Sequence, residues 1–475
     1  MRMVSKSRSL VNRLRFGVSA AAIGCPAGGL DPLTQRQHSL RTGKLMIKSL
    51  RLINFKSFED ETLRLGPFTV VVGANASGKS NIRDAFRTLH GIGRGYGLAE
   101  ILGGRYGPGG ELQWNPIRGA PEEIVRLGRH SFALIVEMSL RGQSRVRPSH
   151  ARYAIRVAVD QAGSRRFRVI FERLMVGNAN IYTSHPRAGD PVAKQDDATN
   201  LLVRMAKTGS QKKYGHRVAV RPDQPALTQI GEHNRVVRAH KWYARQVIDI
   251  LANMRFLDLL PDRMRRPAFP GQDTLGDRGE NLPTVLREIC EDPSRRNALV
   301  SWIRELTPMD VADLEFVRDP TTGLIQLVFR ETNGRRISAY SASDGTLRFL
   351  AILAALFAKN PVGLHVFEEI DNGIHPSRLR LLLDLIESQT TKSRTQVVTT
   401  THSPGLLSMV GDETFDSTGV VVRRPFTDDS VIASVANLPN AKNLRESQGL
   451  GRLLESNWLE DAVIFTASVE DTEES

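Results

Sequence analysis

The sequence predicts an α/β protein: a mainly parallel sheet with helices on both faces, an antiparallel β lobe and a helical insertion. Three observations carry this. An apolar run at 68–72 passes through a glycine-bounded turn into a helical pattern at 81–90. Short apolar strands at 363–367 and 396–400 alternate with helical stretches at 345–357, 377–387 and from Pro404 onward. Such alternation builds a parallel sheet covered on both faces. Between these regions, 132–139, 152–158 and 166–173 alternate apolar and polar residues across polar turns, the pattern of antiparallel strands.

Composition narrows the class. The 475 residues are 40% hydrophobic and 24% charged, enough for a buried core. No apolar run approaches the ~20 residues of a membrane span, so no membrane partner is expected. The two cysteines, Cys25 and Cys290, lie far apart with no C-x-x-C, which indicates neither a disulfide framework nor a zinc site and suits the cytoplasm. The net charge is +14, and half of it lies in residues 1–45, where Arg2, Lys6, Arg8, Arg13, Arg15, Arg36, Arg41 and Lys44 face Asp31 alone. The remaining body is mildly basic, which permits a nucleic-acid partner without demanding one.

In chain order, residues 1–45 form an extension without sustained periodicity. A targeting peptide, a basic arm and disordered sequence upstream of the true start all fit it. Disorder is favoured, because Met46 leads at once into a strand pattern. Residues 46–175 read as a first lobe, with strands at 47–55 and 62–72 and a polar bend at 57–61. Three glycine clusters in 91–120 predict a mobile loop. Residues 176–310 read as an insertion. Its 176–232 portion is basic (Arg204, Lys207, Lys212, Lys213, Arg217, Arg221), and helices are expected at 235–260 and 281–306. A second lobe, 311–465, opens with a hairpin around Pro320-Thr321-Thr322-Gly323. An acidic, frayed tail closes the chain at 466–475.

The chemistry centres on Gly73-Ala74-Asn75-Ala76-Ser77-Gly78-Lys79-Ser80-Asn81, which contains G-x-x-x-x-G-K-S between a strand and a helix. Backbone N–H groups of such a loop point inward and the helix dipole adds positive charge, so the turn is an anion site. Gly73 and Gly78 allow its tight path. Lys79 would reach the β- and γ-phosphates of ATP, and Ser80 would ligate Mg²⁺. Phosphate-loop enzymes need a second acidic element at a strand end. Leu364-His365-Val366-Phe367-Glu368-Glu369 supplies one, Glu368 for the metal and Glu369 to polarise the attacking water. Ser343-Asp344-Gly345-Thr346 opens an apolar helix, and its hydroxyl and free N–H groups form a second anion site. His402 follows the last strand and precedes Ser403-Pro404, a good N-cap and first helical residue. Taken singly, the acids, the N-cap and the histidine also fit ordinary structural roles.

Their order carries a resemblance. Gly73–Ser80, a long insertion, Ser343–Thr346, Glu368-Glu369, Ile370-Asp371-Asn372-Gly373-Ile374-His375-Pro376 and then His402 resemble the ATP-binding-cassette ATPases of the SMC/RecF/OLD type. More closely, the chain looks like the small stand-alone AAA-family ATPases of prokaryotic defence and repair gene clusters. Leu52-Ile53-Asn54-Phe55-Lys56-Ser57-Phe58, Gly279-Glu280-Asn281-Leu282-Pro283 and residues 450–460 are similar to that group as well, and the resemblance covers about 46–465. It implies a phosphate-loop NTPase fold and ATP held between two subunits. One subunit would give the phosphate loop, Glu368, Glu369 and His402, the other Ser343–Thr346. Gln113 would be the loop glutamine that senses Mg²⁺. Glu368 replaces the more usual Asp, and Ala76 a usual glycine. The implied function is a dimerising ATPase switch acting on DNA or on an effector protein in trans. An OLD-like nuclease is less expected, since the residues after His402 lack a Glu followed by a D-x-D strand pair. A transporter motor is also less expected, given the long insertion. Arg145, Arg147, Lys212, Lys213, Arg217, Arg235, Arg238, Lys241 and Arg245 are the candidate DNA contacts.

Overall fold

The computed structural model describes residues 45–142, 149–160, 167–184, 200–206, 216–307, 309–393 and 395–473. The extension expected at 1–45 lies outside these residues except for Leu45, as do Arg145, Arg147, Lys207, Lys212 and Lys213. The chain forms two compact units. The first takes in the described residues up to Met254, with 398–404 and 411–475; the second takes in 255–397 and 405–410.

The first unit is built on a long sheet. Its order is Arg217–Val220, Leu201–Met205, Ala179–Thr183, Phe167–Val176, Ser149–Val159, Ser131–Leu140, Met46–Phe55, Phe58–Arg64, Ser430–Ser434, Gly419–Arg423 and Phe68–Val72, with Gln396–Thr401 next to the last. Met46–Phe55 alternates because one face is buried: Leu50 and Leu52 are fully covered, and Leu50 pairs with Leu63 on one side and Val136 on the other. From Met46–Phe55 through Phe167–Val176 the neighbours are antiparallel, as the alternation predicts. Phe68–Val72 pairs in parallel with Gly419–Arg423, and Phe58–Arg64 with Ser430–Ser434. The run expected at 62–72 is two strands, because Gly66-Pro67 interrupts it, and the Gly66 N–H donates to Thr69 Oγ1 (3.0 Å). Within the weakly patterned 176–232, three short strands extend the sheet.

The mobile loop expected at 91–120 is instead ordered structure. Helix Lys79–Gly93 runs through the first glycines, followed by helix Leu98–Gly103 and a hairpin, Arg105–Tyr106 with Leu112–Trp114. Gly91 and Gly93 serve close packing. A Cβ on Gly93 would lie 2.3 Å from the backbone nitrogen of Ala252, in helix Arg238–Ala252, and one on Gly91 would lie 2.7 Å from Ile101 Cγ1. Trp114 is buried over this helix pair and donates to the Ile101 carbonyl (3.1 Å).

The second unit carries the strand Leu364–Glu368 beside Met254–Leu257, and a three-stranded antiparallel sheet of Val311–Arg318, Ile325–Glu331 and Arg336–Ser338. The first two of these form the hairpin expected around 320–323. Helices Leu282–Cys290, Pro293–Leu306, Asp344–Phe357 and Pro376–Lys392 supply its apolar core. The strands and helices foreseen at 345–357, 363–367, 377–387 and 396–400 all form. The acidic end of the chain is helical through Glu473, within Trp458–Glu473.

Candidate functional site: a phosphate loop and a helix-capping signature

The phosphate loop lies in the first unit, between strand Phe68–Val72, buried along its whole length, and helix Lys79–Gly93. Its shape depends on missing side chains. A Cβ on Gly73 would sit 2.2 Å from the Val421 carbonyl oxygen, and one on Gly78, at φ 112°, would sit 2.8 Å from Ser430 Oγ. Ala76 takes a left-handed φ of 64°, a conformation that disfavours any side chain by roughly 1 kcal/mol. Ala74, Asn75 and Ala76 are exposed, while Ser77 and Lys79 are buried. The Lys79 ammonium folds back over the loop and donates to the carbonyls of Gly73 (2.5 Å) and Ala74 (2.6 Å).

The electrostatics suit an anion. No acidic residue stands in the first turn of Lys79–Gly93, so the positive end of the helix is uncompensated from within the helix. The Ser77 hydroxyl is buried without a hydrogen-bond partner among the described residues, which leaves a polar group for a ligand to meet. Ser80 is half-buried, and its carbonyl accepts from Arg118 Nη2 (3.0 Å). Asn81 Nδ2 donates to Ser57 Oγ (2.9 Å), and Ser57 in turn meets Ser430 Oγ (2.9 Å). Lys56 sits in a left-handed turn (φ 52°), and its ammonium pairs with buried Asp84 on the same helix (2.6 Å); Arg118 also approaches Asp84 (3.5 Å). These supports were missed as site residues, although the Asn54-Phe55-Lys56-Ser57 motif that contains two of them was visible.

His402 belongs to the first unit and is exposed, one residue past the end of Gln396–Thr401, the strand beside Phe68–Val72. The helix expected from Pro404 onward is the single turn Pro404–Leu407. Gln113 is exposed on the small hairpin, where its amide donates to Glu111 (3.3 Å). Among the candidate DNA contacts, Arg217 begins the outermost strand, Arg235 is exposed, and Arg238, Lys241 and Arg245 lie on Arg238–Ala252, with Arg245 paired to Asp249 (3.0 Å).

In the second unit, Ser343 is the N-cap of Asp344–Phe357: its Oγ accepts from the Thr346 N–H (3.2 Å) and lies 2.9 Å from Thr346 Oγ1. Arg265 fixes this corner, pairing with Asp344 (2.5 Å) and donating to the Ala342 carbonyl (3.1 Å). Glu368 ends its strand, and Glu369 takes a left-handed φ of 49° that starts a turn closed by the Asn372 N–H on the Glu369 carbonyl (2.9 Å). That turn packs on the signature: a Cβ on Gly345 would lie 2.4 Å from the Gly373 carbonyl oxygen. Glycine at 345 is therefore required by the loop after the two glutamates, a link between motifs that lie apart in sequence.

Two family models match the chain. One, described as "AAA ATPase domain", covers residues 46–91, and the other, "AAA domain, putative AbiEii toxin, Type IV TA system", covers 228–408. None of the curated proteins matches it in sequence. Similar solved structures include an Smc head bound to the C-terminal winged-helix domain of ScpA (14% identity, 82% of this chain and 97% of that one, TM-score 0.44). Others are the SMC head of Thermotoga maritima (13%, 82% and 98%, 0.38) and an Smc head with extended coiled coil from Pyrococcus furiosus, bound to the C-terminal domain of ScpA (13%, 85% and 100%, 0.42). The AAA ATPase-domain match at 46–91 takes in the phosphate loop and most of its helix; the match at 228–408 takes in Ser343–Thr346, the paired glutamates and His402. Residues 46–91 and 228–408 thus match AAA-family ATPase domains, and the chain carries an α/β fold with a phosphate loop between a buried strand and a helix.

Proposed function

We propose that this protein is a switch that binds and hydrolyses ATP with Mg²⁺, closes as a homodimer on the nucleotide, and acts in the cytoplasm in DNA repair or anti-phage defence. The observation that carries the reading is the phosphate loop itself: a buried ammonium held on the Gly73 and Ala74 carbonyls, an unpartnered buried Ser77 hydroxyl and an acid-free helix start. Lys79 and the loop N–H groups would bind and orient the triphosphate. Ser80 and Glu368 would hold Mg²⁺, with Gln113 as its sensor, and the ion when bound neutralises phosphate charge. Glu369 would align the attacking water, His402 would hold the γ-phosphate side of the site, and Ser343–Thr346 would present its capped helix start to the nucleotide of the partner subunit. Lys79→Ala removes the only lysine of the loop and is expected to abolish ATP binding, measured by titration calorimetry. Unchanged affinity in that variant would sink the assignment.

The family description that covers 228–408 reads "putative AbiEii toxin, Type IV TA system", which is compatible with a second reading, an ATPase that works with a separate toxin or nuclease effector. ATPase rates with and without single- and double-stranded DNA divide the two. Stimulation by DNA favours the repair-type switch, and indifference to DNA favours the effector partner. Among the described residues no helix is long and apolar enough to cross a membrane.

A further inference from the structure

The hairpin formed by Gly419–Arg423 and Ser430–Ser434 flanks the phosphate loop at both ends. Val421 packs on Gly73, where the loop begins, and Ser430 packs on Gly78, where it closes. Ser430 is also tied to the loop helix through Ser57 and Asn81, and its N–H donates to the Ser57 carbonyl (2.7 Å). The connecting residues, 424–429, project past these anchor points and are braced. The Arg424 N–H donates to the Asp429 carbonyl (2.8 Å), and Arg126 grips the Asp429 carboxylate with two bonds (2.7 and 2.8 Å). Arg423 pairs with Asp428. A rigid tip therefore stands beside the anion site.

At that tip is Phe426, fully exposed and in the left-handed region at φ 63°. Following Pro425 in a turn, this is a position where glycine is the ordinary choice. A phenylalanine here is strained and, among the described residues, covers no apolar surface, so folding alone does not account for it. It lies four positions from Ser430, a reach of no more than about 13 Å, which suits the distance from a loop-held phosphate to the base of an extended nucleotide. Base stacking on an aromatic face needs no particular hydrogen-bond pattern.

We propose that Phe426 is the platform for the nucleobase of the nucleotide whose phosphates the loop holds, a purine stacking on its ring. The proposal rests on the phosphate-loop reading and adds the base subsite to it. Since the ring offers no polar group to the base edge, it confers affinity without choosing between adenine and guanine.

The test compares Phe426→Gly, Phe426→Trp and Lys79→Ala, with ATP, GTP and inorganic tripolyphosphate as probes. Phe426→Gly suits the left-handed backbone and should melt no lower than the parent. It is expected to weaken ATP and GTP alike by about 5- to 30-fold while leaving tripolyphosphate unchanged. Phe426→Trp should keep parental affinity and show its tryptophan emission quenched by ATP. If Phe426→Gly binds ATP as the parent does while Lys79→Ala does not bind it, the base platform is overturned and the phosphate loop stands. The same holds if Phe426→Gly weakens only ATP-dependent self-association at unchanged nucleotide affinity, since the ring then meets protein. If Lys79→Ala binds ATP normally, the underlying phosphate-loop reading fails instead.

Discussion

His365 lies in the strand that leads to the paired glutamates and is 2% exposed. Burial, with the Arg255 charge adding to it, pushes its pKa down to about 4. An unfolded chain titrates its histidines near 6.5. With the folded pKa depressed, the contribution to stability is complete above about pH 6.5. It drains away as pH falls toward 4, because the unfolded chain takes up the proton first. The loss across that window is on the order of 3 kcal/mol. His365→Leu should flatten this part of the profile, so urea midpoints at pH 7.5 and pH 5 should differ less in the variant than in the parent. Equal drops would show that His365 titrates normally in the fold. At this scale the local chemistry was legible: Gly73, Gly78, Lys79 and the Ser343 N-cap follow from residues a few positions apart. Arg265 was not legible, because its partner Asp344 is 79 positions away and nothing in the pattern around 265 announces it.

At the scale of elements, Glu172 explains how the weakly patterned 176–232 is anchored. It sits inside the sheet on Phe167–Val176, fully buried, and accepts from Tyr153 (3.1 Å), Tyr182 (2.8 Å) and the N–H groups of Ala226 (2.5 Å) and Leu227 (2.8 Å). Burial raises its pKa to about 7 against the pull of these four donors. Glu172→Gln keeps the size but exchanges one acceptor oxygen for an amide, which then faces a backbone donor. A buried unsatisfied donor of this kind lowers stability by roughly 1–3 kcal/mol, read as a lower urea midpoint with an unchanged slope. A variant as stable as the parent would show that the tie to 226–227 contributes nothing. Strand alternation reveals that something buried lies on this face, but a charged residue there reads as a solvated one until its donors, contributed by two other strands and a distant turn, are known. The glycine clusters at 91–110 misled for a related reason. Local composition signals flexibility, whereas the requirement at Gly93 comes from helix Arg238–Ala252 packing against it.

For the molecule as a whole, the decisive question is whether ATP joins two copies. Glu369→Gln keeps the size of the side chain and most of its hydrogen bonding but removes the negative charge that the proposed mechanism uses to align water. Hydrolysis should fall by roughly 10²-fold or more, the scale of a lost general base, while ATP binding survives because Lys79 and Ser80 are untouched. ATP that is held and not cleaved should then raise the dimer fraction in light scattering. The signature supplies the control. Ser343 caps its helix through the Thr346 N–H, and Gly345 is pressed against the Gly373 carbonyl, so the helix start is preformed. Ser343→Arg in the Glu369→Gln background loses the cap and places a long cation at that start, and it should return the ATP-bound protein to monomer at unchanged nucleotide affinity. A Glu369→Gln protein that hydrolyses ATP at the parental rate would move the water-aligning role to another acid. One that binds ATP, fails to cleave it and stays monomeric would rule out the two-subunit sandwich while leaving nucleotide binding in place, because the phosphate loop and the signature would then act within separate events.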